Sequence, residues 1–179
     1  MATVPTALSA SIGNDLGASS FNTGVRDFLN FLLKNAAYTW LVQASAQTGW
    51  TASTFTSITF TTETADNDGQ HSTSSNTSRV VIGNTLGWYL VIGTYASASD
   101  ASGVTRRAQV ALNGTVVSGS TGITPAAGFA TATAWCLVQA TSSGDYVELQ
   151  GWTDATTTRG TAVSGGLTSS LAAIYLRGV

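Results

Sequence analysis

Short β-type segments separated by turn residues follow one another from Tyr38 to the end of the sequence, and this pattern constrains the fold more than any other feature. The segments are rich in Val, Ile, Thr and aromatic residues, with Gly, Asn, Asp and Ser between them, as is typical of strands and tight turns. No helical period interrupts them, so the sequence predicts an all-β antiparallel sandwich or barrel. The predicted strands are residues 39–43, 53–60, 78–82, 87–96, 104–112, 115–119, 130–140, 145–152 and 171–178.

Two of these stretches predict details of the sheets. Asn113 and Gly114 stand between two predicted strands, and this dipeptide favours a two-residue type I′ turn because both turn residues must adopt positive φ. In 145–152, alternation places Val147 and Leu149 on one face, which we expect to lie in the core. The opposite face then carries Tyr146, Glu148, Gln150 and Trp152.

Composition excludes several classes of partner. Only 9% of the 179 residues are charged, against about 25% in a typical soluble protein, and the net charge is −2. The seven basic residues are spread along the chain, so nucleic acid is not an expected partner. No apolar run approaches the roughly 18 residues of a membrane span, so no membrane is expected either. The first residues lack the pattern of a secretory signal, and we expect synthesis and retention in the cytoplasm until assembly.

One amphipathic segment precedes the strands. Its apolar residues recur at helical spacing and predict a short helix with a single stripe formed by Phe21, Val25, Phe28, Leu29, Leu32 and Leu33. A helix of this length is marginal alone, since about 12 to 15 residues is the lower limit in water, so the stripe must be buried on this chain, on other copies or on a partner. The predicted organisation is an extended arm at 1–19, the helix at 20–37 and a sandwich at 38–179.

The order of motifs from about residue 50 to 178 resembles the jelly roll shared by the C1q globular domain and tumour necrosis factor. An apolar strand ending at Phe60 is followed by a loop with Asp66, a Gly87-x-Tyr strand, the Asn-Gly hairpin, a Gly-Asp-x-Val-x-Leu strand from residue 144 and an apolar closing strand at 174–176. The resemblance implies an antiparallel jelly-roll sandwich that packs as a threefold trimer, with aromatic residues along the axis. The axis candidates, each with an ordinary core or surface position as its alternative, are Tyr89, Tyr95, Tyr146 and Trp152.

The helical segment carries a second resemblance. The stretch "FNTGVRDFLNFLLKN" is similar to a segment near the N-terminus of many minor tail and accessory structural proteins of tailed bacteriophages, which often join it to a C1q-like globule. Phe28 replaces the second Asn of that pattern and widens the apolar face. The resemblance implies a homotrimer on the virion surface, attached through arm and helix to the major capsid or tail proteins.

The residue types of catalytic and metal sites occur together in one loop, yet the pattern does not support either chemistry. His71 is the single histidine, and it follows Asp66 and Asp68 and precedes Ser72, but sequence neighbours in a loop seldom form a triad. Asp66 and Asp68 match a fragment of the Ca²⁺-loop pattern whose remaining positions are missing. We therefore expect turn residues here, no metal or other cofactor, and a protein that is not an enzyme.

Cys136 and two adjacent arginines lie within predicted strands. Cys136 cannot form an internal disulfide, because it is the single cysteine, and we expect it to be buried and inert. Arg106 and Arg107 must point to opposite faces of their strand. We expect one to be solvated and the other to pair with a carboxylate such as Glu148 or Asp145.

These observations together predict a non-enzymatic bacteriophage structural protein, serving either as a minor tail or tail-fibre component or as a capsid decoration protein. Two alternatives stay open. The first is a module that binds host-surface glycans, with Trp50 or Trp152 stacking on sugars. The second is a monomeric sandwich whose helix closes its own core.

Overall fold

The computed structural model describes residues 25–27, 29–30, 36–102, 105–125, 128–157, 159–164 and 166–178. Residues 25–27 and 29–30 are helical, and Ile82–Asn84 forms a short 3₁₀ turn. All the other regular elements within these ranges are strands. In chain order they are β1 (Tyr38–Val42), β2 (Thr56–Ser57), β3 (Glu63–Asp66), β4 (Arg79–Val81), β5 (Gly87–Ser97), β6 (Thr105–Leu112), β7 (Thr115–Val116), β8 (Gly122–Pro125), β9 (Ala130–Ala140), β10 (Tyr146–Thr153), β11 (Val163–Ser164), β12 (Leu167–Thr168) and β13 (Ser170–Arg177).

The strands form two main antiparallel sheets. The five-stranded sheet has the order β3-β1-β13-β5-β9, and the six-stranded sheet is built on β2-β10-β6-β7, with β4 added to β10 and β8 added to β6. Strands β11 and β12 pair with each other as a small separate hairpin. Neighbours in the sheets are distant in sequence, as when β1 pairs with β13 and β5 with β9. The predicted fold class, an antiparallel jelly-roll sandwich, is confirmed.

The core lies between the two sheets and is filled by every second residue of the long strands. In β9 the inward positions are small, with Ala132 and Ala134 next to Cys136, and this lets the sheets approach closely. Gly93 of β5 faces the buried Leu149 of β10 so closely that an added Cβ would lie 2.5 Å from the nearest leucine methyl carbon. Residue size at these positions therefore sets the spacing between the sheets.

Strand prediction succeeded where a strand is long and alternates clearly. The predicted ranges at 87–96, 104–112, 130–140 and 145–152 match β5, β6, β9 and β10 to within one residue. The predicted hairpin is present as well, because Leu112 pairs with Thr115 and both turn residues have positive φ, 51° at Asn113 and 78° at Gly114. The alternation predicted for β10 is also correct, since Val147 and Leu149 are fully buried.

Four short strands were missed. Strand β3, with the sequence "ETAD", pairs only with β1 at an edge, and β8 contains both Gly122 and Pro125. Strands β11 and β12 have two residues each. In all of them the pairing depends on a neighbouring strand and not on local β propensity, so the sequence carries little signal for them.

The predicted helix is described only in part. Its described apolar residues, Val25 and Leu29, are 38% and 46% exposed, so neither is buried on the sandwich. The predicted arm at 1–19 and the stripe residues Phe21, Phe28, Leu32 and Leu33 lie outside the described residues. No helix in the described part of the chain has the length and hydropathy needed to cross a membrane.

Candidate functional site

The outward face of the five-stranded sheet is apolar, although it faces away from the core. Its four longest strands carry large apolar side chains at the positions that alternate with the core positions. Register places these side chains in two rows that cross the sheet. The first row is Tyr38, Ile174, Leu90 and Leu137, and the second is Trp40, Ala172, Ile92 and Trp135.

These side chains are exposed to an extent that is unusual for their type. Trp135 is 65% exposed, Leu137 52% and Trp40 49%. Soluble monomers rarely expose a contiguous apolar patch larger than a few hundred Å², and larger patches mark interaction surfaces. We call this set the apolar face; it comprises Tyr38, Trp40, Leu90, Ile92, Trp135, Leu137, Ile174 and Leu176.

The next row across the sheet is more polar, with hydroxyl side chains on three of its four strands. It consists of Val42, Ser170, Thr94 and Thr133, and the hydroxyl oxygens of the two threonines are 3.3 Å apart. The apolar rows lie at the end of the sheet where β1 begins. The polypeptide from the helical residues therefore enters the sandwich beside the most apolar part of the face.

Two of the residues predicted for a trimer axis lie in the core of a single sandwich. Tyr89 and Tyr95 are both fully buried. Tyr89 accepts a hydrogen bond from Gln70 and donates one to the Thr85 carbonyl, and Tyr95 stacks on Trp50 at a ring distance of 5.5 Å. Burial raises the pKa of both phenols. Their side chains cannot line an axis between copies, because even positions of β5 face outward and these odd ones face the core.

The other two candidates, Tyr146 and Trp152, lie on the outward face of the six-stranded sheet. Each ring is covered by a guanidinium group. The central guanidinium carbon of Arg79 is 4.1 Å from the centre of the Tyr146 ring, and that of Arg107 is 4.3 Å from the centre of the Trp152 ring. Both aromatic residues thus lie on the side of the sandwich opposite the apolar face, and their predicted role at an axis stays a prediction.

The two adjacent arginines of β6 do face opposite ways, as predicted, but the carboxylate partner is a different one. Arg106 is fully buried, its Nε donates to Ser97 at 2.6 Å, and its ion pair is with Asp154 at 3.5 Å. The predicted partners are engaged elsewhere. Glu148 accepts a hydrogen bond from Ser78 at 2.7 Å and lies 3.7 Å from Arg79.

Asp145, the second predicted partner, joins two turns. Its carboxylate accepts hydrogen bonds from the Asn113 side chain and from the backbone N–H groups of Thr141 and Ser142, each at 2.9 Å. These donors stabilise the charged form and lower the pKa of Asp145, with the Asn113 bond as the largest cause. The residue is therefore a link between the β6–β7 and β9–β10 turns.

The loop with the single histidine is held by its polar groups and does not assemble a catalytic triad. Both ring nitrogens of His71 are engaged, Nδ1 with Glu63 at 3.0 Å and Nε2 with the Thr77 carbonyl at 3.2 Å. Asp66 accepts hydrogen bonds from the backbone N–H groups of Gln70 and His71. A cleft of about 250 Å³ lies beside this ring, but the ring has no free nitrogen with which to act on a ligand there.

The two aspartates named as metal candidates have separate roles. Asp66 organises its own turn, whereas Asp68 is buried and accepts a hydrogen bond from Thr85 at 2.8 Å. Within the described ranges, no three His, Cys, Asp or Glu side chains are grouped so that they could hold a metal ion. The donor set needed for Ca²⁺, six to eight oxygens, is not supplied by this loop.

Cys136 and Trp50 both face inward. Cys136 is buried on β9, as predicted, and burial raises the pKa of its thiol to about 11. Trp50 is only 6% exposed and stacks on Tyr95, so it offers no open ring to a sugar.

The apolar face was not predicted, because it depends on the direction of each side chain and residue type alone does not give that direction. The signal was present in "GWYLVIGTYA", where apolar residues are continuous and not alternating. A continuous apolar run indicates a strand that is covered on both faces. In β5 the inward face is covered by the six-stranded sheet. The outward face is not covered by any described part of the chain.

No protein-family model matches this chain, and no curated protein matches it. Solved structures do match. A crystal structure of murine APRIL at pH 5.0 is similar over 79% of this chain and 99% of its own, with 12% identity and a TM-score of 0.57. The globular domain of the zebrafish complement 1qA protein is similar over 78% of this chain and 96% of its own, with 8% identity and a TM-score of 0.55. A further murine APRIL structure, at pH 8.5, matches with 14% identity, a TM-score of 0.55 and coverage of 78% and 98%. At such identities the likeness establishes the fold, a jelly roll of the C1q and tumour necrosis factor type.

Proposed function

We propose that this protein is a non-enzymatic structural protein of a tailed-bacteriophage particle, in which three copies associate through their apolar faces. The exposure of that face carries the proposal. A sheet that presents Trp40, Ile92 and Trp135 to water is costly for a monomer, and association of several copies removes the same side chains from solvent. The family resembled in sequence packs as threefold trimers, and closed symmetry explains how a chain can cover such a face with copies of itself.

The helical segment supports attachment to a larger particle. Val25 and Leu29 are exposed on a segment that leads into β1 at the apolar end of the sheet. In a trimer formed through the apolar face, three such segments leave the assembly near one another and can present their stripes to a common partner. The resemblance of 21–35 to phage tail and accessory proteins supports other virion proteins as that partner class, either the major capsid protein or tail proteins. The protein is then located at the virion surface after synthesis in the host bacterial cytoplasm.

Host-glycan binding is not proposed. Trp50 is buried, and one face of the Trp152 ring is covered by Arg107, so neither residue forms the open aromatic platform on which that alternative depended.

The trimer is tested by substituting one residue of the apolar face. We expect the full chain to show the mass of three copies by light scattering, and Leu137→Glu to show the mass of one, because a carboxylate at this position cannot be buried without a partner. The shortened chain that starts at Tyr38 should remain trimeric, since the apolar face lies within the sandwich. A monomeric wild-type chain at the same concentration would contradict the proposal.

Ile123→Glu is the matched control. Ile123 is 60% exposed, comparable with Leu137, but it lies on β8 of the six-stranded sheet. This variant should keep the mass of three copies. Both variants should unfold cooperatively, and dissociation in both alike would indicate a general effect of the added charge.

Attachment to a particle is tested separately. Phage particles that lack the protein should burst at lower temperature if it bridges capsid subunits, and should keep their heat resistance while losing a tail activity if it belongs to the tail. Its absence from purified particles would refute the virion role and leave the trimer unaffected.

A further inference from the structure

The outward face of the six-stranded sheet carries an arginine, Arg107, whose charge no described residue of the chain neutralises. Arg107 on β6 lies directly between Trp152 of β10 and Ile123 of β8. The described residues provide no carboxylate within ion-pairing distance of it, and its buried Nε has no hydrogen-bond acceptor. Buried donors in native proteins nearly always have a partner, so the unpaired Nε of Arg107 calls for an explanation.

Arg79 lies on the same face and, unlike Arg107, has a carboxylate beside it. It too lies over an aromatic ring of β10, that of Tyr146, at 4.1 Å. Its Nε, however, is 3.7 Å from Glu148. The two arginines therefore share their stacking arrangement and differ in whether an anion is present.

Apolar side chains flank Arg107 on both sides. Strand register and ring contacts place four residues in one row across the sheet. At one end the ring centres of Phe55 and Trp152 are 6.4 Å apart, and at the other end Ile123 is 60% exposed. Tryptophan and arginine are the residue types most enriched among the energetically dominant contacts of protein interfaces. We call this set the arginine row; it consists of Phe55, Trp152, Arg107 and Ile123.

We propose that the arginine row binds a segment of a partner protein that presents a glutamate or aspartate carboxylate beside an apolar side chain. The carboxylate accepts hydrogen bonds from the guanidinium N–H groups of Arg107, and such bonds are charge-assisted and directional. The neighbouring apolar side chain covers Ile123 or Phe55. Charge complementarity determines the choice of partner, because an unneutralised guanidinium group attracts an acidic segment and repels a basic one.

The arginine row and the apolar face belong to different sheets, so this proposal does not depend on the trimer. If the trimer forms through the apolar face, each copy keeps its own arginine row on the outside. Self-association and capture of an acidic partner can then occur together.

The test uses the full chain and a capped synthetic peptide of alternating glutamate and leucine, with the glutamine and leucine analogue as control. Binding is followed by NMR at the Trp152 indole N–H, assigned by its absence from Trp152→Phe. The glutamate peptide should shift this signal saturably. The glutamine peptide should bind about tenfold more weakly, the factor that corresponds to losing one hydrogen bond to a charged group.

Two arginine variants make the result specific. Arg107→Gln should reduce the affinity for the glutamate peptide to that for the glutamine peptide, whereas Arg79→Gln should bind as the wild type does. If Arg107→Gln fails to fold, Arg107→Lys serves instead and should bind with intermediate affinity, because it keeps the charge and loses the planar fork.

Three outcomes overturn the proposal. They are equal affinity for both peptides, an equal loss in the Arg79 and Arg107 variants, and the absence of any Trp152 shift in folded protein. A change of NMR shift confined to Trp40 and Trp135 of the apolar face would also overturn the proposal, since it would place the peptide on the other sheet.

Discussion

The reactivity of the Cys136 thiol depends on which face of its strand it occupies. It faces the core, and burial raises its pKa from 9.0 to about 11. A raised pKa means that the folded state holds the thiol proton more tightly, so its contribution to stability is complete below about pH 9 and is lost as the pH rises toward 11. The thiolate, which is the reactive form, is therefore scarce in the folded protein.

We predict that Cys136 in the folded protein reacts with a thiol reagent at about pH 8 at least tenfold more slowly than it does in denaturant. Spectrophotometric labelling, with and without urea, measures this ratio. Thr115→Cys combined with Cys136→Ala is the control, because position 115 is exposed and should react at the same rate in both conditions. Equal rates for Cys136 in both conditions would show that the strand opens readily.

Asp145 gives a pH dependence of opposite sign. Its pKa is lowered below 3.8 by donors that bond the carboxylate, so its contribution is present above that value and is lost as the pH falls through the folded-state pKa. We predict that Asp145→Ala lowers the free energy of unfolding by about 1 kcal/mol at neutral pH. The difference from wild type should shrink in urea titrations at about pH 3, and a constant difference across this range would contradict the assignment.

At the scale of the elements, two glycines should respond differently to an added methyl group. A Cβ at Gly122 of β8 would lie 1.8 Å from the backbone carbonyl oxygen of Thr133, whereas one at Gly93 would meet the side-chain end of Leu149 at 2.5 Å. A leucine can change rotamer, but a strand carbonyl cannot move without breaking its ladder. We predict that Gly93→Ala costs about 1 to 3 kcal/mol, the usual range for overpacking, and that Gly122→Ala costs more.

Urea unfolding of the two single variants measures this order. The cost of combining Gly93→Ala with Leu149→Ala should be smaller than the sum of the two single costs, because Leu149→Ala removes the atoms that the added methyl group would meet. The costs of Gly122→Ala and Leu149→Ala should simply add, because the obstruction at Gly122 is backbone. The reverse order of the two glycines would mean that β8 is less tightly held than its contacts indicate.

The elements that could be predicted are those with local information. Strands β5, β6, β9 and β10 have eight or more residues each with strong β propensity, and the Asn113-Gly114 turn requires a backbone that only a few residue types adopt readily. Strand β3 could not be found this way, because "ETAD" becomes a strand only by pairing with β1. The Arg106 partner could not be found either, since Asp154 is 48 positions away and reaches it only through the sandwich.

At the scale of the whole molecule, the helical segment should be independent of the sandwich for stability. Leu29 is 46% exposed, whereas Leu41, a residue of the same type, is fully buried in β1. We predict that Leu29→Asp leaves the free energy of unfolding within about 0.5 kcal/mol of wild type, as is usual for surface positions. Under the virion role proposed above, it should also weaken attachment to the particle. Leu41→Asp should instead prevent folding. If Leu29→Asp destabilised the protein as strongly as Leu41→Asp does, that result would support the alternative in which the helix covers the core of its own sandwich.

The apolar face can be located only once the sheet is known. In β5 the two faces are almost equally apolar, with Leu90 and Ile92 on one side and Tyr89 and Val91 on the other. Periodicity cannot choose between them. The packing of β5 against Leu149 of β10, across the core, fixes which side is inside, and the remaining side becomes the apolar face by elimination.

The pairing of β1 with β13 also governs when this surface can exist during synthesis. Strand β1 is made early, but its register with β13 runs from Tyr38 opposite Ile174 to Val42 opposite Ser170. The rows that cross the sheet are therefore incomplete until residues 170–177 have left the ribosome, and such long-range pairing is slow to form. A ribosome-bound chain in which β13 has not emerged consequently carries no finished apolar face, so the proposed association through this face can begin only after residues 170–177 are outside the ribosome.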